Sequence, residues 1–494
     1  MKSLAKDTAI YGLSSIVGRF LNYLLVPLYT HVISVASGGY GIVTNLYAYV
    51  ALILVILTFG METTFFRFAN KEGENQHCVF STSIALVGVL TALFLAMVFC
   101  GIEPIAQTLG YVGHEDYILM MAGVVSLDAL QAIPFSYLRY RKKAVKFALL
   151  KMLFIVMNIG LNLIYFVWLG KDDVFYVFSL NLVCTGLITF FFIPEFIHEH
   201  VQARVYCRER GIPFRIVDFS LLRRMFSYSW PILVLGIAGI LNQTVDKMLF
   251  PIVYPDAADG KVQLGIYGAC VKIAMIMAMI TQAFRYAYEP IVFAKAKDGD
   301  KTEYYAHAMK FFVIFTLFAF LCVEGYMPLL QRIIGENYRA GLSVVPIVMA
   351  AEIMMGIYFN LSFWYKLIDK TIWGAWFSAA GCLVLIAVNI IFIPKYSYMA
   401  CAWGGVAGYG TAMLLSYFVG QKKYPINYDV KGMMKYVVIT AGLYLAMSCL
   451  DSSQALHAMQ YGTLLQLVAN SCMIVIYLAV VLHNDLPLKS LRRF

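Results

Sequence analysis

The sequence predicts an all-α polytopic membrane protein of about 14 transmembrane helices, arranged as two six-helix lobes plus two C-terminal helices. Three observations lead there. The chain is 61% hydrophobic and only 13% charged over 494 residues, where a soluble domain runs about 45–50% and about 25%. Apolar stretches of membrane length recur along nearly the whole chain, leaving no room for a large soluble module. The basic residues fall almost entirely on alternate connections, the pattern expected when Lys and Arg stay on the cytoplasmic side.

The apolar segments run 9–33, 40–62, 78–100, 117–138, 146–169, 174–197, 226–253, 264–290, 306–329, 341–365, 371–393, 398–420, 431–450 and 459–482. Each is about 20 residues or more, enough to cross roughly 30 Å of hydrocarbon as a helix. Most connections are short, so sequential helices are antiparallel. With both termini in the cytoplasm, and with Lys146, Lys151, Lys310, Lys431 and Lys435 at the inner ends of their spans counted there, 29 of the 38 Lys and Arg lie on the inner side and five on the outer. Four remain inside the spans: Arg19, Lys247, Lys272 and Arg285. The first apolar stretch is full span length with no small-residue cleavage site after it, and reads as a retained helix.

The longest non-membrane stretch, 198–225, is basic and ends in the amphipathic run Phe219–Phe226, expected to lie on the inner membrane face before entering the span at Ser229-Trp230-Pro231. It divides the chain into an N-terminal lobe (1–197), this linker (198–225), a C-terminal lobe (226–420), and two extra helices with a tail (421–494). The lobes carry a weak internal repeat. Asn22 and Pro27 match Asp246 and Pro251 at offset 224. Tyr40-Gly41 match Tyr267-Gly268 at 227, and Phe59, Phe68 and Ala69 match Phe284, Phe293 and Ala294 at 225. Six spans per repeat gives both lobes one orientation, related by a pseudo-twofold along the membrane normal around a central cavity.

Ionisable groups at membrane depth are functional candidates. Arg19 and Lys272 occupy spans 1 and 8; a cavity lined by such cations favours an anionic ligand, phosphate above all. Asn22, Arg285 and Lys247 complete the substrate-binding candidates. Asp246-Lys247 reads either as an interfacial pair with a snorkelling lysine or as part of the site. Arg285 and Glu289, one turn apart, read either as a structural ion pair or as cavity residues. Asp128, Asp246, Glu324 and Glu352 are candidate proton or sodium carriers, because desolvation favours a protonated carboxyl; internal salt bridges are the alternative.

The net charge of +10 is the inner-loop bias and points to anionic lipid rather than nucleic acid. Ten cysteines without CxxC pairs give no disulfide or zinc framework. His198-Glu199-His200 reads as a solvated helix end. No phosphate loop, HExxH or GxSxG motif occurs, so neither an enzyme nor a cofactor is expected.

The run Tyr11–Phe20 (YGLSSIVGRF), Val26–Thr30, Gly39–Val43 and Leu57–Lys71 (LTFGMETTFFRFANK), echoed by Trp230-Pro231, Asp246 and Gly265–Gly268, resembles the bacterial polysaccharide-biosynthesis membrane proteins. These are the O-antigen flippases of Wzx type, within the multidrug/oligosaccharidyl-lipid/polysaccharide exporter superfamily. The resemblance spans the full length and implies two lobes working by alternating access in the cytoplasmic membrane. It implies a cargo of undecaprenyl-pyrophosphate-linked oligosaccharide, moved from inner to outer leaflet for surface polysaccharide such as lipopolysaccharide, with Arg19 at the pyrophosphate and an ion gradient as the drive. It further implies a monomer working with membrane lipids, glycosyltransferases and a polysaccharide polymerase. A multidrug exporter of the same superfamily, a peptidoglycan-precursor flippase, and a membrane-embedded glycosyl- or acyltransferase are the alternatives.

Overall fold

The computed structural model describes residues 25–211, 217–295, 301–368, 370–453 and 461–485. Among them the regular elements are helices, with no strand. The long ones are α1 (Gly39–Thr58), α2 (Met61–Ala69), α3 (Gln76–Cys100), α4 (Glu115–Tyr140), α5 (Ala144–Asn162), α6 (Val174–Phe190), α7 (Ile193–Glu209) and α8 (Phe219–Val253). They continue with α9 (Ala257–Lys295), α10 (Lys301–Gly325), α11 (Val345–Leu361), the short α12 (Phe363–Leu367), α13 (Ile372–Tyr396), α14 (Tyr398–Lys423), α15 (Val430–Asp451) and α16 (Gly462–Asn484). Several start on a side-chain cap that satisfies orphan amides. Asn75 accepts from the His77 and Cys78 N–H groups, Asp218 from Ser220 and Leu221, and Asp429 from Gly432.

Twelve helical stretches among the described residues are long and apolar enough to cross a membrane. On α3, Leu93, Met97 and Phe99 are 59–64% exposed, which is cheap only against lipid. Segment 9–33 lies mostly outside the described residues. Segment 398–420 is the 26-residue α14, which is not among the twelve. Its low apolarity has a packing cause. Gly404, Gly408, Ala412, Ser416 and Gly420, spaced by four, are all buried, a small-residue seam of the kind that lets membrane helices approach closely. A Cβ on Gly408 would stand 2.8 Å from the Gly381 carbonyl oxygen, and one on Gly420 2.8 Å from Trp364 Nε1.

Two expectations change. Phe219–Phe226 is not a separate surface helix; it is the first two turns of the unbroken 35-residue α8, which runs through Pro231 and Pro251. Segment 40–62 is not one helix: Phe59 and Gly60 take left-handed backbone (φ 50° and 66°), ending α1 and starting α2. Gly60 needs no strain for this, and its missing Cβ leaves room for Ile232.

The chain forms two compact units, Met1–Gly265 and Ile266–Phe494. In the first, α1 packs on α4 and α8, α3 on α4 and α7, and α6 on α4 and α5. In the second, α14 packs between α13 and α11, while α10 carries α11, α15 and α16.

Candidate functional site

Each unit holds a concentration of charge within its helices. In the first unit, Asp128, Phe135 and Arg139 follow one face of α4 at intervals of seven and four. Arg139 Nη2 donates to Glu62 Oε2 at 3.2 Å and to Ser136 Oγ at 3.0 Å, and Ser136 Oγ in turn donates to Glu62 at 3.4 Å. The Arg139 guanidinium also lies 5.2 Å from the Phe66 ring. Lys151 of α5 places its ammonium 3.9 Å over Phe135. Asp128 is its electrostatic neighbour, with Glu62 and Arg139 next. Lys151 and Asp128 nonetheless make no ion pair with each other within 4.0 Å. The result is two acids and two bases, balanced in charge, with the lysine carried by an aromatic face.

In the second unit a shallow cleft is lined by α9, α10 and α11–α12. Thr281, Arg285 and Tyr288 come from one face of α9; Gly356, Phe359, Asn360 and Phe363 come from one face of α11 and α12. The Arg285 guanidinium sits 4.7 Å from the Phe359 ring centre, and Lys366 Nζ 5.0 Å from that of Phe363. Phe284 packs on Phe312 at 4.8 Å and Tyr288 on Phe363 at 5.5 Å. Gly356 makes the floor possible, because a Cβ there would meet Phe312 Cζ at 2.3 Å. Two buried polar atoms in the lining, Thr281 Oγ1 and Asn360 Oδ1, have no hydrogen-bond partner. Aromatic faces, two cations and unsatisfied hydroxyl and amide groups suit a ligand that is both sugar and phosphate.

The remaining candidates are distributed. Arg19 and Asn22 lie outside the described residues. Lys247 folds back on Asp246, with Nζ 3.0 Å from both carboxylate oxygens, and donates to the Gln243 carbonyl at 3.1 Å; the pair neutralises itself. Lys272 and Glu352 stand half-buried on α9 and α11, and Glu324 ends α10. The Glu289 side chain lies outside what is described. Asp128 belongs to the first unit; Lys272, Arg285, Glu324 and Glu352 belong to the second.

Two readings are corrected. Lys151, counted above with the inner-side cations, stands about two turns inside α5, which begins at Ala144, with its ammonium over the Phe135 ring. Glu199 is not solvated. It is fully buried, accepting from Tyr137 Oη at 2.6 Å and pairing with His77 Nδ1 at 2.5 Å. Among the described residues no three His, Cys, Asp or Glu side chains form a metal-holding group. Sequence reasoning also missed Lys366, Thr281 and Asn360. The helical stripe 356, 359, 360, 363 was the available signal.

A sequence model of the family described as polysaccharide biosynthesis protein matches residues 4–291. The chain belongs to that family. No curated protein matches it in sequence. Among solved structures it is similar to the lipid II flippase MurJ in an inward closed conformation, at 15% identity and TM-score 0.71 over 96% of this chain and 99% of that one. It is also similar to a multidrug resistance MATE family transporter of the MOP superfamily in an inward-facing conformation, at 12% identity and TM-score 0.64 over 81% and 93%. At such identities these likenesses establish the fold: the chain is an all-helical, multi-pass membrane protein folded like those two transporters.

Proposed function

We propose that the protein flips a lipid-linked oligosaccharide carried on undecaprenyl pyrophosphate from the inner to the outer leaflet of the bacterial cytoplasmic membrane, for surface polysaccharide synthesis. Both termini are cytoplasmic, and the cycle is ion-coupled alternating access without chemistry on the cargo. The observation that carries this reading is the second-unit cleft. Arg285 supplies a fork of donors and Lys366 a point charge for phosphate oxygens. Phe359 and Phe363 offer faces to a sugar ring, and Thr281 and Asn360 hold buried, unsatisfied polar atoms that an opening of the cleft would turn toward its hydroxyls. A glycan and its phosphates cannot cross hydrocarbon unaided; such a cleft lowers that barrier while the lipid tail stays in the bilayer. Arg19, Asn22 and Lys272 are assigned to the same cargo. Asp128 and Glu352 are assigned to the coupling ion together with Glu324, and Asp246 only if Lys247 releases it.

The test is reconstitution in proteoliposomes with a fluorescent short-chain undecaprenyl-pyrophosphate glycan, read by loss of protection from a membrane-impermeant quencher. Arg285→Ala and Lys366→Ala each slow flipping; unchanged rates in both would sink the reading. Structural similarity to a MATE transporter and the acid at Asp128 favour a second reading, a cationic-drug exporter. Drug efflux that survives Arg285→Ala and stops in Asp128→Asn would select it.

A further inference from the structure

The last two helices pack on α10, and the three meet at its C-terminal end. There Asn470 of α16 donates Nδ2 to the Gly325 carbonyl at 2.9 Å. That bond fixes the amide orientation, so its Oδ1 is an acceptor, and this atom is buried with no partner. One residue before Gly325, Glu324 is in the same condition: Oε1 is sealed from solvent and has no hydrogen-bond partner. Two buried acceptors with no donor leave one kind of group lacking. A carboxylate oxygen closed off from water is unfavourable as a bare anion, and a proton or a small hard cation supplies what both oxygens need.

The surroundings agree in sign. From α15, Asp451 and Tyr444 act electrostatically at Glu324, and Tyr444 packs on Phe320 of α10 at 5.5 Å. Asp451 is exposed and held by Gln466 Nε2 at 2.8 Å. From α16 come Gln466, Asn470 and Ser471, the last bonded to Tyr326 Oη at 2.9 Å. Cys322 stands on α10 itself. Among these described neighbours no cation faces Glu324. An exposed acid thus stands before a buried one.

We propose that Glu324 and Asn470 hold a monovalent cation, a proton or a sodium ion, with Asp451 drawing it in, so that α15 and α16 complete an ion site. As a coupling site it rests on the transport reading above; as a binding site it does not. The measurement uses the full-length protein in lipid nanodiscs: retention of radiolabelled sodium, and the infrared band of a protonated carboxyl at neutral pH. Saturable sodium retention lost in Glu324→Gln and weakened about tenfold in Asn470→Ala supports a sodium site. A protonated-carboxyl band lost in Glu324→Gln and diminished in Asn470→Ala, with no sodium retained, supports a proton site. Neither signal in the wild type overturns the proposal. Asn470→Ala, which keeps the carboxylate, serves if Glu324→Gln does not fold. Cation binding lost in Glu324→Gln with unchanged, gradient-dependent flipping would overturn the coupling role and leave the site standing.

Discussion

The charge groups of the two units differ in composition. The first unit places Asp128 and Glu62 against Lys151 and Arg139, so the group is balanced. The second sets Arg285 and Lys366 on aromatic rings around a cleft with two unsatisfied polar atoms. A balanced group offers a large anion no net positive charge. A basic aromatic cleft suits a phosphorylated sugar. On the reading proposed above the units divide the work unevenly: the second holds both the cargo cleft and the Glu324 site, and the first holds the balanced group around Asp128. Both units hold cations on ring faces, Lys151 on Phe135 and Arg285 on Phe359, contacts that favour the charged side chain inside a helical layer.

The largest effect should come from Arg285→Ala. Losing charge-assisted bonds of about 1.5–3 kcal/mol lowers flipping about ten- to hundredfold, and Arg285→Lys recovers part of it. Full activity in Arg285→Ala with loss in Lys151→Met would reverse the assignment of roles. Next, Gly408→Leu in the α13–α14 seam should cost about 1–3 kcal/mol of stability by overpacking, measured as a lower thermal midpoint in detergent; an unchanged midpoint would mean the seam opens freely. Asp128→Asn should slow gradient-driven flipping about tenfold while leaving cargo affinity alone, since about one charge-assisted interaction is lost. A large fall in affinity instead would erase the distinction between the units.

The smallest effect concerns pH. Lys310 bridges Asp429 at 2.9 Å and Asp485, which also accepts from Tyr436, tying α15 and α16 to α10. The Lys310 bond and an amide bond from Gly432 hold Asp429 below the ordinary 3.8. Burial opposes, but bonds from Lys310 and Tyr436 still leave Asp485 lowered from the same value. Carboxyls depressed by folding add stability above their unfolded value and lose it as pH falls through the folded one. Unfolding should therefore ease only below about pH 4, and Asp485→Asn should flatten that acid limb.

Much of the fold was legible. Apolar span lengths identified most of the helices because lipid forces apolar, self-satisfied backbone. The break at Phe59-Gly60 was not, since no proline marks it, and Phe284 at the repeat-related position continues through the helix. α14 was legible as a helix, though its buried glycines lower its apolarity. In the sites, Asp128 and Arg285 were visible as charges in apolar runs. Lys151 was hidden by its closeness to a basic loop, and its ring partner lies 16 positions away in sequence. Glu199 looked solvated because its partners, His77 and Tyr137, come from helices far along the chain.

Those bonds have a mechanical consequence. Glu199 joins the ends of α3, α4 and α7, Lys146 pairs with Glu195, and Arg224 pairs with Glu74. These ends of the first unit are laced by carboxylates, one of them fully enclosed, so separating any one helix strands a buried charge. On the transport reading proposed above, motion carries these ends together as a stiff plate, and amide hydrogen exchange around residues 76–80, 137–147 and 195–207 should stay slow during turnover.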